Sequence, residues 1–162
     1  MATTPSPTVN LQPLNGEGRP LSEWVTTFHL VLVVLDPYTH ESSWIIDTAG
    51  RILTEFAEAD CRVGWIVTGD DEAAANFLGP WSRELVTFVD PDRSVVSELG
   101  LETLPAIVHL DHGLSVVNSA EGWVPREWRA VAAGLADSMS WSQPAIPAEG
   151  DPTPYAGTAA QG

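Results

Sequence analysis

The chain has 162 residues, which is enough for one domain with a buried core. Its 22 acidic residues outnumber 7 basic ones, and the net charge of −15 at pH 7 argues against nucleic acid and anionic membranes as partners. The longest apolar run has six residues, far fewer than the roughly 20 that cross a membrane. With no signal-peptide pattern and a single cysteine, the sequence predicts a soluble, cytoplasmic protein without membrane insertion.

The first half of the chain predicts strands that alternate with helices. Residues 30–35 are apolar on both faces, as in a central strand covered on both sides. Apolar residues at helical spacing follow from 45 to 57. A second strand at 63–67 and a second helix at 73–78 come next. This order predicts parallel strands joined by right-handed crossovers.

The second half of the chain predicts further elements, namely a strand at 85–89, a short helix at 94–99, and strands at 106–110 and 114–118. The loop between the last two, Asp111-His112-Gly113, is short and ends in glycine, which is typical of an antiparallel hairpin. A final helix begins at Pro125. The whole order predicts an α/β protein with a mixed central sheet flanked by helices.

The ends of the chain differ in composition from its middle. We expect residues 1–10 to be a flexible N-terminus, 11–139 to form the domain, and 140–162 to be a Pro-rich disordered tail. A docking peptide built around Trp141 or Tyr155 is the functional alternative for that tail. Among the tryptophans, Trp44 and Trp128 are expected at the core or its rim, whereas Trp81 and Trp123 are expected on an exposed binding surface.

Three stretches resemble the thioredoxin fold, most closely its redoxin branch of thiol-disulfide reductases and peroxiredoxin-like proteins. They are VLVVLDPYTHESSWI, FVDPDRSVVSELGLETLPAIVHLDHG and EGWVPREWRAVAAGLA. The resemblance implies a thioredoxin-like fold and a cis peptide bond between Leu104 and Pro105. It also implies that Thr39-His40-Glu41-Ser42 replaces the Cys-x-x-Cys motif, with Thr39 and Ser42 at the two cysteine positions.

The hydroxyls of Thr39 and Ser42 cannot carry out the chemistry that the resemblance attaches to those positions. A hydroxyl has no redox couple comparable to that of a thiol, and it is not deprotonated near neutral pH. Dithiol–disulfide exchange and thiolate peroxidase chemistry are therefore excluded at this motif, and an enzyme of that kind is not expected. A hydrolytic triad is also disfavoured, because consecutive residues of a helix point in different directions. Helix capping by Thr39 or Ser42, with Glu41 complementing the helix dipole, is the preferred interpretation.

Cys61 is the remaining candidate for thiol chemistry. It precedes the second predicted strand, and the helix before that strand places it roughly 24 Å from the motif, at the opposite end of the sheet. We expect an inert thiol, with a thiol-dependent oxidoreductase or peroxiredoxin-like protein working through Cys61 as the alternative function.

No metal and no cofactor is predicted. The four histidines lack metal-ligand spacing. His40, which lies in the motif, is the histidine most expected to have a functional role. No glycine-rich phosphate loop is present.

The function predicted from the sequence is that of a redox-inactive binding or complex-assembly module. In the family that the chain resembles, the groove beside the cis-proline holds an extended peptide through backbone hydrogen bonds. That groove would be lined by Tyr38, Thr39, His40, Leu104 and Pro105. The expected partner is a protein or peptide. A further alternative is a subunit of a larger complex, with the acidic surface and the tail as contact regions.

Overall fold

The computed structural model describes residues 2–25 and 27–162. The strands are β1 (Asn10–Pro13), β2 (Arg19–Pro20), β3 (His29–Leu35), β4 (Cys61–Val67), β5 (Val86–Val89), β6 (Thr103–Leu104), β7 (Ala106–Leu110), β8 (Val116–Glu121) and β9 (Thr158–Ala159). The helices are α1 (Leu21–Trp24), α2 (His40–Ser43), α3 (Ile46–Phe56), α4 (Asp71–Leu78), α5 (Trp81–Glu84), α6 (Ser94–Glu98) and α7 (Pro125–Met139). The strands and helices predicted from periodicity are all present, with ends shifted by a few residues.

Within the described residues, seven strands form one mixed sheet in the order β2-β1-β5-β4-β3-β7-β8. Strands β3, β4 and β5 are parallel, whereas β1 and β7 run antiparallel to their neighbours β5 and β3. The pairing of β3 with β4 begins at His29 opposite Cys61 and ends at Leu35 opposite Val67. Cys61 therefore lies at one end of the sheet, beside the start of β3. The residues that follow Leu35 lie at the opposite end.

Two apolar layers cover the two faces of the sheet. Val31, Val33 and Leu35 of β3 pack on one face, in a layer that includes residues of α3, α4 and α7. Leu32 and Val34 point to the other face, in a layer that includes residues of α1 and α6. Strand β3 is thus covered on both sides, which explains its unbroken apolar sequence.

The C-terminal residues make contacts with helix α3 and with β6, in contrast to the disordered tail predicted for 140–162. Trp141 Nε1 donates to the carbonyl oxygen of Glu55 over 2.6 Å, and Asp151 pairs with Arg51 over 2.8 Å. Farther along, β9 pairs with β6 to form a separate two-stranded sheet. Small residues and prolines do not prevent order here, because the extended backbone finds hydrogen-bond partners on the domain.

Three tryptophan side chains differ in exposure from the predictions. Trp123 is fully buried, and its Nε1 donates to the carbonyl oxygen of Pro152 over 2.8 Å, so the prediction that it is exposed is wrong. Trp81 is half-buried with its Nε1 3.1 Å from an oxygen of Asp47, whereas Trp44 is 56% exposed. The C-terminal segment buries Trp123. The sequence around Trp123 contains no pattern that predicts this burial.

Candidate functional site

The Thr39-His40-Glu41-Ser42 motif lies where β3 ends and α2 begins. Asp36 follows β3 directly, and its carbonyl oxygen accepts a hydrogen bond from Thr39 Oγ1 over 3.3 Å. The buried Ser42 Oγ accepts from the backbone N–H of Asp36 over 2.9 Å. Thr39 is the N-cap residue of α2, but its side chain makes no capping hydrogen bond. Both hydroxyls thus bind the backbone of Asp36, which fixes the turn between strand and helix.

The peptide bond between Leu104 and Pro105 is cis, as the resemblance implies. Strand β7 begins directly after it, and the first residue of β7, Ala106, pairs with Val34 of β3. Pro105 therefore lies at the same end of the sheet as Asp36. The predicted groove residues differ in exposure: Leu104 and Pro105 are buried, Thr39 is half-buried, and Tyr38 and His40 are exposed.

The C-terminal segment 155–160 lies along the chain that leads to this proline. Thr158 and Ala159 pair antiparallel with Leu104 and Thr103. One residue farther, the backbone N–H of Ala160 donates to the carbonyl oxygen of Glu102 over 2.9 Å. The main-chain edge of β6 is therefore already paired with the protein's own C-terminal residues.

Tyr155 connects the same segment to the motif helix. Its hydroxyl donates to the carbonyl oxygen of Glu41 over 2.5 Å, and its ring meets the ring of Trp44 edge-on, with 5.4 Å between centroids. Its backbone exchanges two hydrogen bonds with Trp123, of 2.8 and 3.0 Å. Burial, and to a smaller extent the charge of Glu41, raises the pKa of Tyr155 well above its usual value, so the hydroxyl remains a donor.

A buried ion pair links the motif turn to the segment 155–160. Asp36 has a side chain that is only 3% exposed, and its Oδ2 lies 2.9 Å from an Nη atom of Arg93. The other Nη atom of Arg93 donates to the carbonyl oxygen of Ala160 over 2.6 Å. No sequence pattern singled out Arg93 as a site residue. The only local signal was a basic residue directly after the Asp-Pro-Asp turn before α6, in a strongly acidic chain.

Cys61 lies away from this arrangement, at the start of β4 beside His29. Its side chain is buried, and its Sγ donates to the carbonyl oxygen of Phe56 over 3.4 Å. Burial first, and then the nearby charge of Asp60, raises the pKa of Cys61 to about 11. The structure does not bring this thiol together with Thr39, Ser42 or Pro105.

Three histidines lie close together at the other end of the sheet. His29 Nδ1 lies 2.7 Å from Nε2 of the buried His109, and the ring centroid of His112 lies 5.8 Å from that of His29. Among residues 2–25 and 27–162, no three His, Cys, Asp or Glu side chains are grouped so that they could hold a metal ion. None of the helices described is long and apolar enough to cross a membrane.

No protein-family model and no curated protein matches the chain significantly. Solved structures do match it. A putative thiol:disulfide interchange protein DsbE from Chlorobium tepidum superposes with a TM-score of 0.70 at 15% identity, covering 86% of this chain and 98% of that one. A mutant of peroxiredoxin Q from Xanthomonas campestris gives a TM-score of 0.66 at 16% identity, over 81% and 91% of the two chains. The chain has the thioredoxin-like fold.

A third solved structure matches the C-terminal segment as well. A hypothetical protein from Sinorhizobium meliloti 1021 superposes with a TM-score of 0.67 at 14% identity, covering 99% of this chain and 94% of that one. At identities this low, the matches establish the fold alone.

Proposed function

We propose that this thioredoxin-like protein is a redox-inactive binding module, which takes an extended segment of a protein partner at the groove beside Pro105. The observation that carries the proposal is the pair of hydroxyl residues, Thr39 and Ser42, at the helix start after β3. By the resemblance to redoxins, these residues would stand where that family holds two cysteines. Their hydroxyls bind the backbone of Asp36 instead of carrying out redox chemistry. The scaffold is thus retained without the dithiol.

The groove has the features that an extended peptide requires. The main-chain groups of segment 103–104 already pair with an extended segment, Thr158-Ala159, and such pairing supplies affinity without any catalytic side chain. At the same end of the sheet, Tyr38 is 69% exposed and Trp44 is 56% exposed. Large aromatic side chains of this kind are enriched at protein interfaces. These observations support a protein or peptide partner rather than a small substrate.

The alternative function through Cys61 has less support. The thiol is buried and its pKa is raised to about 11, whereas reactive cysteines are accessible and have lowered pKa values. We expect the protein to show no disulfide-reductase or peroxidase activity beyond the uncatalysed rate. If activity is present in the wild-type protein and is lost in Cys61→Ser, the alternative replaces the proposal.

Partner capture with matched variants tests the binding function. A partner bound through the groove should be recovered from cell lysate by the wild-type protein and lost with Tyr38→Ala. It should be retained with Val117→Ala, which removes an exposed apolar side chain of β8. Pro105→Ala provides a second groove variant, whose folding is checked by circular dichroism. Equal recovery of the same partner by all these proteins would place the binding surface elsewhere.

A further inference from the structure

We infer that residues 155–160 are an intramolecular peptide ligand of the groove beside Pro105, and that a partner segment binds only by displacing them. The inference rests on the proposed function, because it names what occupies the proposed site and what class of ligand fits. That class is an extended peptide that pairs antiparallel with β6 and carries an aromatic side chain where Tyr155 lies. The following contacts support each part of this inference.

Main-chain pairing gives the segment the geometry of an added strand. Tyr155 and Trp123 exchange two hydrogen bonds, and Thr158-Ala159 then pairs with β6. Just beyond β9, the N–H of Ala160 binds the carbonyl oxygen of Glu102. The segment therefore uses the backbone groups that an incoming extended peptide would need, so the two cannot be bound together.

Two glycines allow the segment to approach this closely. A Cβ atom on Gly157 would lie 2.4 Å from the carbonyl oxygen of Leu104, and one on Gly122 would lie 2.5 Å from the carbonyl oxygen of Ala156. Both glycines also have positive φ angles, of 86° and 72°. The close approach thus depends on a missing side chain on each of the two facing segments.

Release of the segment leaves the buried charge of the site neutralised. Arg93 binds the carbonyl oxygen of Ala160 and the carboxylate of Asp36 through different Nη atoms. When Ala160 leaves, the ion pair with Asp36 can persist, while the Tyr155 hydroxyl returns to water. Displacement therefore breaks hydrogen bonds, one of them donated by the Arg93 guanidinium, but leaves no buried ion without its partner.

Because the segment is tethered to the groove, a partner peptide must bind with high affinity to displace it. Flexible attachment presents a segment at an effective concentration on the order of millimolar, so a free peptide of equal intrinsic affinity competes poorly. We expect wild-type protein to bind an added groove peptide at least about tenfold more weakly than a variant whose segment is released.

The test compares two glycine variants of the full chain. Gly157→Ala places a methyl group against Leu104, whereas Gly150→Ala changes a glycine of similar φ, 93°, that has no atom within 4 Å of the added position. Hydrogen exchange read by mass spectrometry should show that residues 155–160 and Trp123 are protected in the wild type and in Gly150→Ala. Protection should be lost in Gly157→Ala. Tyr155→Ala, which removes the anchor to Glu41, should act in the same direction.

Binding of a labelled peptide then completes the test. The probe is the fluorescein-labelled peptide DPTPYAGTAAQG, the sequence of residues 151–162, followed by fluorescence anisotropy. Gly157→Ala should bind it at least about tenfold more tightly than the wild type or Gly150→Ala. Equal binding by all three proteins, or unprotected residues 155–160 in the wild type, would overturn the inference and leave the groove function standing. A released variant that binds no probe would overturn the groove function itself.

Discussion

His109 is a fully buried imidazole whose only hydrogen bond in the described structure joins its Nε2 to His29. Burial first, and then the charge of His29, lowers the pKa of His109 to about 4 in spite of the opposing effect of Asp111. In the unfolded chain the same ring binds a proton near pH 6.5. Between these values only the unfolded state takes up the proton. The free energy of unfolding should therefore fall by about 3 kcal/mol as the pH decreases from about 6.5 to 4.

Urea unfolding at a series of pH values from about 7 to about 4.5 measures this effect. The many carboxylates also titrate at the acidic end, so the comparison with His109→Gln isolates the histidine. The variant cannot take up this proton, and its free energy of unfolding should depend less on pH than that of the wild type. Parallel pH profiles for the two proteins would show that His109 is protonated equally in the folded and unfolded states.

At the scale of elements, one ion pair joins the end of β3, the start of α6 and the C-terminal segment. Arg93 neutralises the buried carboxylate of Asp36 and holds Ala160. Removing the guanidinium leaves a buried charge without its partner, which is more costly than losing an exposed pair. We expect Arg93→Met to lower the free energy of unfolding by about 3 kcal/mol.

Chemical denaturation of Arg93→Met beside Arg62→Met measures that cost. Arg62 is exposed on β4, so its substitution should change the free energy of unfolding by no more than about 0.5 kcal/mol. If both variants have similar effects, the ion pair with Asp36 contributes no more than a surface charge.

The junction between β3 and α2 can be tested by introducing the thiols that it lacks. If Thr39 and Ser42 occupy the positions of a Cys-x-x-Cys motif, Thr39→Cys/Ser42→Cys in a Cys61→Ser background should form an internal disulfide on mild oxidation. The mass should fall by two hydrogens, and dithiothreitol should reverse the change. Thr39→Cys/Ser43→Cys is the matched control, because Ser43 is exposed and one residue out of register. A disulfide that forms equally readily in the control would argue against the proposed equivalence.

The elements that the sequence predicts well are those with many apolar residues at a regular spacing. Strand β3 and helix α7 are examples, because each buries a continuous face in the core. Strands β6 and β9 have two residues each, and they exist only because distant parts of the chain meet. Residues too few to show a period cannot reveal such pairing. The N-terminal strands β1 and β2 were missed for the same reason.

The candidate site was only partly predictable for a related reason. Thr39 was indicated by its place between a predicted strand and a predicted helix, and Pro105 by the resemblance of the stretch around it to the thioredoxin family. The roles of Arg93 and Tyr155 depend on contacts with Ala160 and Glu41, far away in sequence. Tyr155 was singled out only as an aromatic residue in a Pro-rich tail, and its docking position required the folded chain.

At the scale of the whole molecule, the net charge of −15 sets the response to salt. An excess of like charges destabilises a compact state by self-repulsion, and added salt screens that repulsion. Ion pairs such as that of Arg51 with Asp151 are weakened by the same screening, but acidic residues far outnumber basic ones. We expect the midpoint of thermal unfolding to rise by a few degrees between about 0.01 M and about 0.15 M NaCl.

Differential scanning calorimetry at several salt concentrations measures this shift. NaCl and KCl should act alike, because screening at these concentrations depends on ionic strength and not on which cation is added. A midpoint that stays constant or falls with salt would mean that attractive pairs outweigh the repulsion.

The contact of Ala160 with Arg93 also has a practical consequence for producing the protein. A purification tag fused after Gly162 would emerge beside Arg93, since a Cβ atom on Gly162 would lie only 3.6 Å from its Cζ. Such a fusion could displace the last residues from this site, or its extended linker could bind there in their place. Affinities measured on C-terminally tagged protein would then depend on the tag, so a removable N-terminal tag is preferable.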